Sequence, residues 1–394
     1  MRSVGTVVRG IRTPIIKDGD DLASIVVESL LKAKESENFE FKDKDIVAIT
    51  EAVVGISEGN YATMDDIAKD IKNKYPSLEI GLVFPILSRN RFAMILKAIA
   101  RACNKITILL SFPADEVGNG ILDEELLYKN GYNSTNGIIT EQEYKDIFGS
   151  YIHPFTGINM VDFYRDLVKK ENCEVEFVFS NNPRTILDYS NNILACDIHT
   201  RFKTKKLLSD ANIIYGLDEI LNKPINGSGY NTKYGLLGSN RATEEKIKLF
   251  PEKGDILVNK VASLLKEKTG KNIEVMIYGD GAFKDPVGGI WELADPVVSP
   301  AYTSGLEGTP NELKLKYLSD NKFANLRGQE LIDAMKNEIK NKDNNLKGKI
   351  ETQGTTPRRL TDLIGSLCDL TSGSGDKGTP VVFVQGYFDN LADE

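Results

Sequence analysis

Hydrophobic and polar positions follow one another in two styles along this chain. At the start, "VGTVVRGI" (4–11) is a β-branched run that predicts a strand, followed by the turn-like "RTPIIKDGD". In "DLASIVVESLLKAK" the apolar positions Leu22, Ile25, Val26, Leu30 and Leu31 recur at helical spacing, with Asp20 or Asp21 placed to cap the first turn. "DIVAIT" predicts the next strand, "FAMILKAIARAC" a short amphipathic helix and "KITILLSF" a buried strand. The stretch "IVAITEAVVGISEGN" (46–60) begins as a buried strand and passes into small and acidic residues. It reads either as a strand ending in a turn or as one wall of a ligand site.

After Phe112 the texture changes, and the region 114–150 has glycines, asparagines and tyrosines with little periodicity. From 151 to 225 a new rhythm appears. "VDFYRDLVKKE", "NPRTILDYS" and "FKTKKLLSDA" predict helices, between "CEVEFVFS", "NILACDIHT" and "NIIYGL" as strands. That alternation predicts an α/β unit with parallel pairing. The first style then returns. "EEKIKLFPEKGDILVNKVASLLKEKTG" predicts a helix, "NIEVMIYG" a strand and "GQELIDAMKNEIK" a helix. "RRLTDLIGSLCDLTSG" and "TPVVFVQG" predict a closing helix and strand. The expected fold is mixed α/β: a discontinuous domain over 1–115 and 230–394, interrupted by an inserted α/β subdomain at 116–229. A length of 394 residues exceeds the usual reach of one hydrophobic core.

Composition removes several classes of function. The net charge is −8 and is spread along the chain, so nucleic acid is not the expected partner. The locally basic "RFKTKK" reads as a solvated helix face. No apolar run is long enough to cross a bilayer, and the N-terminus lacks the apolar core of a signal peptide, so a soluble cytoplasmic protein is expected. Cys103, Cys173, Cys196 and Cys368 are far apart and read as buried thiols. With two histidines and no paired cysteines, any metal is expected to be a hard ion on carboxylates. No GxxxxGK[ST] occurs, which excludes a P-loop.

Three stretches in order resemble the coenzyme F-420-0:gamma-glutamyl ligase family. "RTPIIKDGDDLASIVVESLL" with "KDKDIVAITEAVVGISEGN" resembles the family's opening, "VMIYGDGAFKDP" its Asp-Thr-Phe-Gly-Arg-Pro loop, and "TTPRRLTDLIGSLCDLTSGSGDKGTPVVFVQG" its closing helix and strand. The resemblance implies a homodimeric ligase that uses GTP (or ATP) and Mg2+ or Mn2+. It would join L-glutamate to a small-molecule carboxylate acceptor through an acyl phosphate. It further implies that Thr13, Pro14, Ile15, Ile16, Thr50, Glu51, Asn240, Thr355, Thr356 and Asp362 contact the nucleotide. Asp280, Asp285 and Glu244 would hold the metal, and Asp280 and Lys284 would serve catalysis.

The sequence departs from the family pattern at several of these positions. The family's glutamine is Glu51, its two lysines are Ala52 and Ile56, and the threonine after the metal aspartate is Gly281. Loss of two cations beside an added carboxylate weakens triphosphate binding by several kcal/mol unless other groups compensate. A homologue that binds another small molecule or partner in the same cleft, without ligation, therefore stays open. The loop 279–296 gathers Asp280, Lys284, Asp285, Trp291, Glu292 and Asp295 after a buried strand, a density that favours a ligand role. His153 before proline and His199 at a strand end are read as structural, and Trp291 as a packing anchor.

Overall fold

The computed structural model describes residues 4–135, 137–283, 294–352, 358–372 and 375–393. Three sheets organise them. The first runs β1 (Val7–Ile11), β14 (Val381–Gln385), β2 (Ile46–Thr50), β12 (Glu274–Tyr278) and β13 (Ala301–Tyr302). Within it only β2 and β12 are parallel. Strands β2 and β14 are apolar at nearly every position because both faces of this sheet are covered. Helices α1 (Leu22–Glu37) and Gly254–Thr269 cover one face, burying Val26, Leu30, Val258, Val261 and Leu265. Each such side chain contributes roughly 1.5–3 kcal/mol. The helix Leu360–Ser372 covers the other face through Ile364 and Cys368.

The second sheet is small. It consists of β10 (Asn240–Arg241), β11 (Lys246–Lys248) and β3 (Tyr61–Thr63), all antiparallel. The segment 244–253, read from sequence as the beginning of a helix, thus contains β11, and the helix starts at Gly254. The pattern "KIKLF" serves a strand because Ile247 and Leu249 are buried against the core around α3 (Met64–Lys74).

The third sheet has the order β6 (Ile138–Thr140), β7 (Glu174–Ser180), β5 (Lys105–Leu110), β4 (Glu79–Val83), β8 (Asn192–Ala195) and β9 (Ile213–Gly216). All neighbours are parallel except β6. Strands β4, β5 and β7 build outward in one direction, and β8 and β9 in the other. That is a doubly wound sheet whose order reverses beside β4. Its two central strands come from residues 79–110, ahead of the segment 116–229 that the sequence sets apart, so the strands of that segment are completed by strands outside it. Helices α3, α4 (Phe92–Ala102) and Met160–Lys170 pack on one face. The segment "NPRTILDYS" forms a 3-10 turn at Pro183–Asp188, since a helix-initiating proline is followed by too few residues to extend before β8 begins.

Among the described residues no helix is long and apolar enough to cross a membrane. The four cysteines are free and buried, as read from sequence.

Candidate functional site

The register between β2 and β12 builds the site. Thr50 pairs with Tyr278, so the residues that follow both strands emerge side by side at one end of the sheet. After Thr50 the chain turns directly into α2 (Glu51–Ser57) rather than into the turn that the sequence suggested. Its first residue, Glu51, is 5% exposed and receives Lys248 Nζ at 3.0 and 2.8 Å on its two oxygens. Burial pushes the Glu51 carboxyl up, and Lys248 opposes the rise while Asp295 adds to it.

After Tyr278 come Gly279 and Asp280. A Cβ at Gly279 would stand 2.1 Å from Asp295 Oδ2, so only glycine allows this close approach. The same Oδ2 accepts the Asp280 N–H at 2.8 Å. Arg91, in the loop between β4 and α4, reaches across to both carboxylates: Nη1 to Asp295 at 2.6 Å and Nη2 to Asp280 at 2.7 Å. Burial works against the guanidinium's charge, yet Asp295 and Asp280 outweigh it and hold Arg91 protonated. Among the described residues, three carboxylates (Glu51, Asp280, Asp295) thus meet two cations (Arg91, Lys248) here.

The helix Leu360–Ser372 closes the loop from the other side. Asp369 accepts the Gly281 N–H at 2.9 Å, and Ser366 Oγ accepts the Ala282 N–H at 3.0 Å while donating to the Asp362 carbonyl at 2.7 Å. A Cβ at Gly281 would lie 2.8 Å from Ser366 Cα. A side chain at this position, such as the threonine of the family pattern, would meet that helix. Beside this cluster opens a cavity of about 730 Å³, lined by residues 86–91, Asn119, Phe155, Thr156, Phe163, Arg241 and Asp280 among others.

The residues read from sequence are distributed unevenly around this geometry. Thr50, Glu51 and Asp280 converge, and Asn240 lies opposite Lys248 across β10 and β11. Thr13 and Pro14 instead line a separate cavity of about 720 Å³ between β1 and α1, with Arg9, Arg12 and Lys32. Of the same turn, Ile15 is 88% exposed and Ile16 is buried. Asp362 stands in the first turn of the closing helix. Glu244 is exposed and pairs with Arg241 rather than with Asp280. Lys284, Asp285, Trp291, Thr355 and Thr356 lie outside the described residues. Among those described, no three His, Cys, Asp or Glu side chains form a group that could hold a metal ion, so Asp280 and Glu244 are not joined in one.

Other motifs have structural roles. Glu58 accepts the N–H groups of Glu252 and Lys253 at 2.9 and 3.1 Å, placing a carboxylate at the start of the helix Gly254–Thr269. His153 is buried, and its Nδ1 accepts the Thr156 N–H at 3.1 Å. Lys248 and Arg91 were not singled out from sequence. Each sits in an ordinary-looking stretch, "KIKLF" and "SRNRF", and becomes a partner only through pairings across 197 and 189 or more positions.

A family model described as F420-0:Gamma-glutamyl ligase matches residues 10–386. The chain belongs to that family. Comparison with curated proteins gives no match. The match makes this a member of the gamma-glutamyl ligases of coenzyme F420 biosynthesis, and it runs through the doubly wound sheet as well as the first sheet. Within this ligase-family chain, Asp280 and Glu51 stand at the adjoining ends of the parallel strand pair β2 and β12.

Proposed function

We propose that the chain is a nucleotide- and metal-dependent ligase that joins L-glutamate to a carboxylate acceptor through an acyl phosphate, acting as a cytoplasmic homodimer. The observation that supports this most is the register of β2 and β12, which sets Glu51 and Asp280 together beside a large cavity. In the proposed reaction the acceptor carboxylate attacks the γ-phosphorus of GTP or ATP and the nucleoside diphosphate leaves. The glutamate amine then attacks the acyl phosphate, an amide forms, and phosphate and a proton are released.

Among the described residues Asp280 is the one carboxylate that lines the cavity, and it is paired with Arg91, so the described side chains do not by themselves form a metal site. On the family resemblance Asp280, Asp285 and Glu244 would hold Mg2+ or Mn2+, which when bound supplies positive charge to the transferring phosphoryl group, although Glu244 is paired with Arg241 and does not join Asp280 among the described residues. Arg91 holds Asp280 in place, and Lys248 opposes the upward push that burial gives the Glu51 carboxyl. Thr13 to Ile16, Thr50, Asn240, Thr355, Thr356 and Asp362 are proposed to contact the nucleotide, and Lys284 to serve as a point charge near the phosphates.

A second reading has its own support. Both Arg91 and Lys248 are engaged by the protein's own carboxylates. That favours a non-ligating homologue which binds another small molecule in the same cleft. Calorimetric titration with GTP and then ATP, with Mg2+ or Mn2+, separates the two. Metal-dependent binding lost in Asp280→Ala, followed by phosphate release with glutamate and carboxylates, supports the ligase. No binding of either nucleotide at millimolar concentration ends that reading.

A further inference from the structure

Arg91 sits in a loop, yet that loop is braced at three points. Leu87 donates its N–H to Asp115 and Ser88 donates its own to the Tyr164 hydroxyl, both at 2.7 Å. Ser88 Oγ then accepts the Arg91 N–H at 3.0 Å, one residue before α4 begins. Tyr164 is fully buried, so the arginine is carried by the core of the doubly wound sheet. The Arg91 side chain is itself only 13% exposed.

Its two contacts are unequal. The Asp295 side chain is 1% exposed, and its other oxygen already accepts the Asp280 N–H. The Asp280 side chain is 25% exposed and lines the large cavity. Breaking a pair with a buried carboxylate leaves a charge unmatched out of water, while a pair that meets solvent exchanges at little cost. The guanidinium is thus fixed at Asp295 and exchangeable at Asp280. Membership of the ligase family leads one to expect a divalent ion on Asp280. Among the described residues no group of side chains makes a metal site, and the cation on Asp280 is Arg91.

Resting on the ligase reading for the identity of that ion, we propose that Arg91 guards Asp280. Its Nη2 excludes a divalent ion that arrives alone, and its Nη1 tethers the guanidinium to Asp295, so the guard stays at the site. Ion and guanidinium compete for the same oxygen, Asp280 Oδ2, and two cations repel at that distance. An ion carried by nucleotide phosphates brings a net negative charge and is not repelled in this way. Only a planar fork can do this, because it spans two carboxylates at once. A lysine in its place is a point charge that satisfies one carboxylate, and the buried Asp295 keeps it, leaving Asp280 open.

Mn2+ alone is the probe, titrated into the full-length protein and followed by the EPR signal of the free ion. Arg91→Lys is expected to bind Mn2+ roughly tenfold or more tightly than the wild type, and adding Asp280→Asn is expected to remove the gain. The lysine keeps the positive charge, so a gain here cannot come from loss of charge. Nor can it come from a residue that only braces the fold, whose replacement lowers affinity or leaves it unchanged. The guard is overturned if folded Arg91→Lys binds Mn2+ no more tightly than the wild type, or if the gain survives Asp280→Asn. Should Arg91→Lys fail to fold, Arg91→Gln is read in the same way. Failure of the ligase reading appears separately, as absent GTP binding in the presence of Mn2+ in a protein whose variants still gain affinity for Mn2+ alone.

Discussion

Lys248 Nζ lies 2.8 and 3.0 Å from the two carboxylate oxygens of Glu51, and both side chains are removed from water. A pair of this kind is worth little against an apolar pair of the same volume, but breaking it from one side leaves a buried charge unmatched. Lys248→Met is therefore expected to destabilise the fold by about 3–5 kcal/mol, and Lys248→Met with Glu51→Leu by much less. Urea denaturation of the single and double variants checks this. Equal losses in the two would show that the lysine acts through packing alone.

Arg91 bridges the doubly wound sheet and the first sheet through Asp280 and Asp295. Arg91→Met strands the buried Asp295 and is expected to cost about 3 kcal/mol of stability. Arg91→Lys keeps the charge but loses the fork that reaches two carboxylates, so an intermediate loss is expected. Thermal unfolding of the three proteins orders them, and an Arg91→Met protein as stable as wild type contradicts the bridge.

Gly281 has no room for a side chain, because Ser366 Cα would stand 2.8 Å from its Cβ. Gly281→Ala is expected to cost about 1–3 kcal/mol, and Gly281→Thr, which restores the family's residue, more. The gap belongs to backbone of the helix Leu360–Ser372, which cannot give way as a flexible side chain would. A stable Gly281→Thr protein would mean that the helix shifts to accommodate it.

Asp115 accepts N–H groups from Leu87, Val117 and Asn119, yet loss of water around it pushes its carboxyl up to about 6 from 3.8. The folded state thus holds this proton to a higher pH than the unfolded chain does. The contribution is fully present below pH 3.8 and is lost as pH rises through about 6. Its full size is on the order of 3 kcal/mol. Denaturant unfolding from pH 4 to 7 is expected to show that slope in the wild type relative to Asp115→Asn. Parallel profiles for the two proteins would remove Asp115 as the source.

Local order in this protein was determined by its sequence. The apolar run Ile46–Ile49, the helical spacing of Leu22 to Leu31 and the strand at 274–278 specify their elements because each buries a face that only one periodicity can present. The sequence also carried Asp280 and the polar residues after Thr50, since motif residues follow strands directly. Tertiary structure decided what those residues meet. Parallel pairing of β2 with β12 placed Glu51 beside Asp280, while β11 brought Lys248 and the loop before α4 brought Arg91. It also drew β4 and β5 into the doubly wound sheet, and left Thr13 and Pro14 on another cavity. Strand register and ion pairing join positions nearly two hundred residues apart, and their energies depend on burial, which no local pattern of residues encodes.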